Sequence, residues 1–325
     1  MTGSILVTGG AGYIGSHVAK SLAKAGFTPV VYDNLTTGNR WAVKWGPFEN
    51  GDILDRARLV DVVRTHKPVG VMHFAALSIV GQSVADPVNH YRVNVSGMLN
   101  VLHAARIARA AATILSSTCA VYGAPRDVPV TETAPLEPIN PYGASKRMME
   151  RIMEDAAHAY GMRYAALRYF NAAGADPEGE LGELRPHETH LIPLVLEAAL
   201  GRHPGVSVFG EDYDTPDGTA VRDYIHVSDL ADIHVSALTR LLGGGESAAV
   251  NLGTGKGVSV REVIAMAHEV TGRSVPHTVG PRRPGDAPVL VADPSRAAAL
   301  YGGGLTPRSD LRTIIQTAWE FHRVR

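Results

Sequence analysis

From Ser4 to Leu35 the chain reads SILVTGGAGYIGSHVAKSLAKAGFTPVVYDNL. Ile5-Leu6-Val7 has the character of a short buried strand, and His17 to Lys24 that of a helix. Between them Gly9, Gly12 and Gly15 recur at three-residue spacing. Glycines there let the backbone turn tightly and approach a pyrophosphate, which sits on the N–H groups opening the helix. Thr28 to Tyr32 is a second strand, and Asp33 stands at its end. A carboxylate in that place accepts both hydroxyls of an adenosine ribose and repels a 2′-phosphate, so the cofactor expected is NAD and not NADP. Strand, glycines, helix, strand and acid in this order make a far stronger signal than a glycine motif alone.

The rest of the first half continues the pattern outward. Strand-like runs fall at Ile5–Thr8, Pro29–Tyr32, Val69–Phe74, Thr113–Ser117 and Arg163–Arg168. Helix-like segments lie at His17–Ala25, Asp55–His66, Pro87–Ala110 and Pro141–Tyr160. This alternation predicts an α/β fold, a doubly wound parallel sheet of Rossmann type with a smaller α/β substrate-binding lobe. HFAAL (His73–Leu77) and SSTCAVYG (Ser116–Gly123) leave strand ends, where such sheets bind ligands. After about Asn171 the elements shorten: Leu191–Leu200, Val206–Phe209 and Arg261–Val270. The helical stretch Ser228–Leu242 is expected to return to the first domain. The division expected is residues 1–172 with 219–246 for the cofactor, and 173–218 with 247–325 for the substrate.

Composition narrows the class. The 325 residues are 45% hydrophobic and 19% charged, with a net charge of −1. That balance gives no footprint for nucleic acid or an acidic membrane surface. No apolar run nears the roughly 20 residues of a membrane span. The start shows no basic region of a signal peptide, and the single cysteine, Cys119, suits a reducing compartment, so a cytoplasmic location is expected.

The chemistry gathers at NPYGASKRMME, Asn140 to Glu150. Asn140 suits a helix cap and Pro141 the first turn. Tyr142 and Lys146 are then four apart on one helix face. A free tyrosine, with a pKa of about 10, is no base at neutral pH. An ammonium within hydrogen-bonding range favours the phenolate by about 1–3 pKa units, which together with the positive nicotinamide ring would bring Tyr142 near about 7. Thr118 ends the preceding strand and completes the set.

With those residues in view, the chain resembles the UDP-glucose 4-epimerase branch of the extended short-chain dehydrogenase/reductases, the NAD-dependent epimerase/dehydratase family. The resemblance runs over essentially the whole length. It is carried by GGAGYIGS (Gly9–Ser16), HFAAL, PYGASK, LRYFNAAGAD (Leu167–Asp176), ETHLIP (Glu188–Pro193), DGTAVRDYIHVSDLA (Asp217–Ala231) and RRPGD (Arg282–Asp286). It implies interconversion of UDP-galactose and UDP-glucose by transient oxidation at sugar C4. Around NAD it implies Gly9, Gly12, Tyr13, Ile14, Gly15, Asp33, Asn34, Asp52, Ile53, Phe74, Ala75, Ala76, Ser78, Asn94 and Ser116, with Tyr169 and Phe170 at the nicotinamide. Tyr142 becomes the base at the 4-hydroxyl, Thr118 its bridge, and Lys146 the group on the nicotinamide ribose. For the UDP-hexose it implies Asn171, His190, Leu191, Ser207, Phe209, Arg222, Tyr224, Arg283 and Asp286. Leu290, seven positions after Arg283, is implied beside the sugar's C2 substituent. Ser78 departs from relatives that carry a lysine there. The family also implies a homodimer, with Val88–Arg109 and Lys146–Tyr160 pairing with their counterparts.

Other readings of the same fold are an epimerase or reductase for another nucleotide sugar, such as UDP-N-acetylglucosamine, and a non-catalytic NAD-sensing protein. Cys119-Ala120 after Thr118 argues against the dehydratases and decarboxylases, which need an added acid–base there. PHETH (Pro186–His190) lacks the spacing of a helical zinc site, so no metal is expected. His226 and Cys119 are read as buried packing residues, and Trp41 and Trp45 with Lys44 as a surface loop on the adenosine side.

Overall fold

β1 (Ser4–Thr8) leads through α1 (Tyr13–Lys24) to β2 (Thr28–Asp33) and β3 (Phe48–Asn50) in the computed structural model, which describes residues 2–283 and 286–325. Pro284 and Gly285, inside the RRPGD motif, lie outside the described residues. α2 (Arg56–His66), β4 (Gly70–His73), α3 (Val80–Ala85), α4 (Pro87–Tyr91), α5 (Gly97–Ala108) and β5 (Ala112–Thr118) follow. Next come α6 (Pro141–Tyr160), β6 (Arg163–Tyr169), β7 (Asn171–Ala173), α7 (Leu191–Ala199), β8 (Val206–Phe209), β9 (Val221–His226) and α8 (Val227–Leu242). The chain closes with β10 (Ala248–Leu252), β11 (Gly257–Ser259), α9 (Val260–Thr271), β12 (His277–Gly280), β13 (Val289–Leu290), α10 (Ser295–Tyr301) and α11 (Leu311–His322).

The main sheet has seven strands in the order β10-β6-β5-β4-β1-β2-β3. β1 runs parallel to both β2 and β4, so the strand order reverses beside it. That is the doubly wound plan, in which the strand order reverses at a switch point where such sheets open a crevice. β5 is buried along all seven residues, as a strand covered on both faces must be. On one face Leu59, Val63, Val101, Ala105, Met149 and Met153 from α2, α5 and α6 pack against Leu6, Val30 and Leu115.

Packing of the chain divides it into two compact units. The first is Met1–Gly123 with Leu136–Arg168 and Ala231–Val250; the second is Ala124–Pro135 with Tyr169–Leu230 and Asn251–Arg325. In the second unit β9 is the hub: β7 and β13 run parallel to it and β11 antiparallel. A separate core joins Val195 and Leu196 of α7, Val263 and Ala267 of α9, and Ile314 and Ile315 of α11.

Local signals explain the helix ends. The Asn140 side chain accepts the Gly143 N–H at 2.9 Å, Pro141 opens the first turn, and Gly161 (φ 67°) ends α6. Ser259 and Glu262 form a reciprocal capping box on α9. Three expectations are corrected. α1 begins at Tyr13, ahead of His17, because Gly12 is already extended and the helix starts directly after it. β3 was not foreseen; it has three residues and depends on pairing with Val31–Asp33. The helix expected over Pro87–Ala110 runs unbroken to Ala108 but contains a π turn, Arg92–Ser96, which buries Asn94.

Candidate functional site

In the first unit, Gly9 follows β1 at φ +73°, a conformation natural to glycine. A Cβ there would meet the Ala75 nitrogen at 2.5 Å, so the exits of β1 and β4 press together only because the residue is glycine. Gly15 is pressed against the Gly9 carbonyl in the same way. Gly12 is the N-cap of α1, and no side chain caps the helix there. Asp33 is 8% exposed at the end of β2; its carboxylate accepts the N–H groups of Ala11 (3.0 Å) and Leu35 (2.8 Å). Burial pushes that carboxyl up while the two N–H groups pull it down. Asn34 donates to the Asp52 carboxylate at 2.9 Å, and Ile53 is buried beside Gly97.

Beyond β4, Asn94 takes the Leu77 N–H on its side-chain oxygen (2.8 Å) and donates to the Leu77 carbonyl and to Ser145 Oγ (3.0 Å each). Its amide is thereby committed to the 77 loop and to α6, and Ser78 beyond is exposed. His73, wholly buried, shares a 2.7 Å hydrogen bond with Thr8, and burial followed by the Lys146 charge pushes its imidazole down to about 3. It stays neutral.

α6 carries Tyr142 and Lys146. Lys146 is 2% exposed, and its Nζ donates to the Ser116 carbonyl of β5 at 2.8 Å. Burial pushes the ammonium down to about 8, and the Glu150 carboxylate works in the opposite direction. Thr118, at the end of β5, accepts the Ala120 N–H on Oγ1 at 3.1 Å. The Tyr142 N–H donates to Ser83 Oγ at 3.2 Å, and its ring meets the His90 ring edge-on with centroids 6.0 Å apart. One turn of α6 therefore carries a phenol and a buried ammonium, and the strand to which the ammonium is bonded ends in a hydroxyl. That set can take and return a proton.

In the second unit, Arg222 of β9 donates to the Ala287 carbonyl at 2.9 Å and stands 3.9 Å from Asp286. Leu290 of β13 is the register partner of Arg222. The Arg283 guanidinium lies 3.8 Å from the Phe209 ring centroid. Asn171 donates to the Asp223 carbonyl at 3.0 Å, and burial pushes the Tyr224 phenol up to about 12. Ser207 and Phe209 share one side of β8, with Val206 and Val208 buried on the other. His190 immediately precedes α7 without a side-chain cap bond and pairs with Glu183 at 2.9 Å, while Arg185 donates to the same carboxylate. Glu183, Glu188 and His190 thus converge within 4.8 Å, and the guanidinium beside them supplies a counter-charge for Glu183.

A family model described as the NAD dependent epimerase/dehydratase family matches residues 5–253. The chain belongs to this family. It is 52% identical over 319 residues to the UDP-glucose 4-epimerase of Rhizobium leguminosarum bv. trifolii, covering 98% of this chain and 97% of that one. A crystal structure of the UDP-glucose 4-epimerase from Brucella ovis in complex with NAD superposes with a TM-score of 0.95 at 54% identity, covering 98% and 97% of the two chains. That from Bifidobacterium longum, in complex with NAD+ and UDP, gives a TM-score of 0.92 at 35% identity over 99% and 98%.

Within this family fold, Gly9, Gly12, Gly15, Asp33, Phe74, Ala75, Ser116, Thr118, Tyr142 and Lys146 all lie in the first unit, at the C-terminal ends of strands, at the start of α1 or on α6. Tyr169, Phe170, Asn171, His190, Phe209, Arg222, Tyr224, Arg283, Asp286 and Leu290 lie in the second. Sequence reading missed Ser83 and His90, which touch Tyr142 from α3 and α4. No motif flags them, because the contact depends on how three helices pack. His226 is a bonded structural residue, as expected: its N–H donates to Ser309 at 2.8 Å and its Nε2 meets Thr317 at 3.0 Å. Among the described residues no helix is long and apolar enough to cross a membrane.

Proposed function

We propose that the chain is a UDP-glucose 4-epimerase, interconverting UDP-galactose and UDP-glucose with NAD in the first unit and the UDP-hexose on the residues of the second. The observation that carries the reading is the buried Lys146 ammonium, one turn from Tyr142 and bonded to the Ser116 carbonyl of the strand that ends in Thr118, in a chain similar over its whole length to proteins of that name. The residues fit NAD. Glycines stand where a side chain would collide with backbone, the start of α1 has no side-chain cap, and a buried carboxylate ends β2. Gly9, Gly12, Tyr13, Ile14 and Gly15 would hold its pyrophosphate and Asp33 the adenosine ribose.

When bound, NAD supplies reversible oxidation at carbon 4 of the sugar. Tyr142 takes the proton of the 4-hydroxyl and later returns it. The Lys146 ammonium favours the phenolate, and neutral His73 behind it adds no competing cation. Thr118 Oγ1 holds the hydroxyl proton on its path to Tyr142. Arg222 and Arg283 would grip the diphosphate, which suits a paired guanidinium fork. The hexose itself must be held loosely enough to present its other face. Incubation with UDP-galactose and no added NAD tests the whole reading: UDP-glucose should form, and its absence with or without NAD would reject it.

The chain is further proposed to act in the cytoplasm as a homodimer. Val88, Leu99 and Ile107 of α4 and α5, with Met148 and Tyr160 of α6, are exposed apolar side chains on the helices expected to pair. Sedimentation at micromolar concentration tests this, and a monomer would reject it.

A further inference from the structure

One turn beyond Lys146, α6 carries a carboxylate that the proton transfers do not use. Glu150 is 1% exposed. Its Oε1 accepts from Ser117 Oγ at 2.6 Å and from Arg168 Nε at 2.8 Å, and its Oε2 accepts from Arg168 Nη2 at 2.7 Å. Arg168, 3% exposed, gives Nη1 to the Tyr122 hydroxyl at 2.9 Å. Glu150, Ser117, Arg168 and Tyr122 are all buried, the partly exposed Arg147 adds its Nη1 at 3.6 Å from Oε2, and the Arg168 guanidinium is bidentate, the strongest geometry such a pair can take.

The partners of Glu150 are what make it more than packing. Ser117 lies between Ser116, whose carbonyl receives Lys146, and Thr118. Tyr122 belongs to the turn that Thr118 Oγ1 caps. One carboxylate therefore ties the helix bearing Tyr142 and Lys146 to the strand and turn bearing Thr118. Apolar side chains of the same volume would pack these elements without the cost of burying two charges, but they would not set one register.

We propose that Glu150, held by Ser117 and Arg168, is a positioning residue for the epimerisation: it fixes α6 on β5 at the level of Lys146 and Thr118, and sets a carboxylate one helix turn from Lys146. Burial alone drives that ammonium down, and Glu150 is the charge opposing it. The other groups facing Lys146 are His73 of β4 and His90 of α4, both pushed toward the neutral form by burial, and the Ser116 carbonyl of β5. Tyr142 stands one turn back on α6. Glu150 is the carboxylate among them, and the cations that partly offset it are Arg168, bonded to both its oxygens, and Arg147, 3.6 Å from Oε2.

The inference rests on the proposed function, so the test carries one readout that needs no turnover. Glu150→Gln keeps the shape of the side chain and removes its charge. Taking away a negative charge lowers the pKa of every neighbouring acid, so both limbs of the pH profile of kcat move to lower pH by at least about half a unit, with KM for UDP-galactose within about twofold. The tyrosinate absorbance of Tyr142, measured as the difference between each protein and its Tyr142→Phe counterpart, moves the same way in the absence of substrate. A chain that fails to epimerise UDP-galactose therefore still decides the point. Because Glu150→Gln leaves Arg168 buried without its counter-charge, Ser117→Ala is made beside it. That change removes one hydrogen bond and keeps the ion pair, and kcat falls about 3–10-fold with KM and both limbs unmoved. A folded Glu150→Gln protein whose limbs and tyrosinate titration stay in place overturns the proposal. So does a Ser117→Ala protein with kcat within about 1.5-fold of the parent.

Discussion

Replacing Lys146 by methionine isolates what the buried ammonium does for Tyr142. Methionine keeps most of the apolar stem in its packing, so the main losses are one charge and the Nζ–Ser116 hydrogen bond. The hydrogen bond, made by a charged donor, is worth about 1.5–3 kcal/mol of stability, which a domain of this size can lose and stay folded. The charge matters more. With Lys146 at about 8, roughly nine molecules in ten carry it at pH 7. Its loss returns the Tyr142 phenol upward by about 1–3 pKa units, leaving between a tenth and a thousandth of the phenolate at neutral pH. kcat for UDP-galactose at pH 7 should therefore fall by about 10–10³-fold. Because the phenolate can be restored by alkali, the rate should climb between pH 7 and 9, by up to about tenfold per pH unit below the raised phenol pKa, where the parent is level or falling. Initial rates of UDP-glucose formation across that range, with bound NAD measured in each sample, make the test. A loss below about threefold, or a large loss that alkali does nothing to repair, would refute an electrostatic role for Lys146.

Three further outcomes are expected. Tyr142→Phe should lower kcat by about 10²–10⁴-fold while NAD and UDP binding persist, since only the proton-carrying oxygen is removed; activity within about twofold of the parent would assign the base elsewhere. Apo-protein should reconstitute with NAD in preference to NADP, because Asp33 is already bonded to Ala11 and Leu35 and offers a 2′-phosphate only a carboxylate; equal reconstitution, followed by fluorescence, would contradict this. Leu290→Tyr should suppress any turnover of UDP-N-acetylglucosamine and spare UDP-galactose, since Leu290 lies on the strand paired to β9 at Arg222; loss of both or of neither would show that it is not the gate.

The sequence alone determined the parts whose causes are local. Glycine spacing before α1 and the acid closing β2 follow from how closely a backbone can approach its neighbours and a phosphate. α6 could be bounded at Pro141–Tyr160 because its cap, its first-turn proline and its terminal glycine are all written within the segment. Tyr142 and Lys146 fall on one face by helix geometry. The tertiary structure decided what depends on partners far along the chain. β3 exists only because Val31–Asp33 pairs with it, and the π turn at Arg92–Ser96 serves an asparagine that must reach Leu77 and Ser145. Glu150 reads in the sequence as one more polar residue on an amphipathic helix. Only folding brings it Arg168, 18 residues on, and Ser117, 33 residues back, and so makes it a buried anion one turn beyond Lys146. Periodicity records which face of an element is buried; it carries no record of which side chain from another element will meet it there.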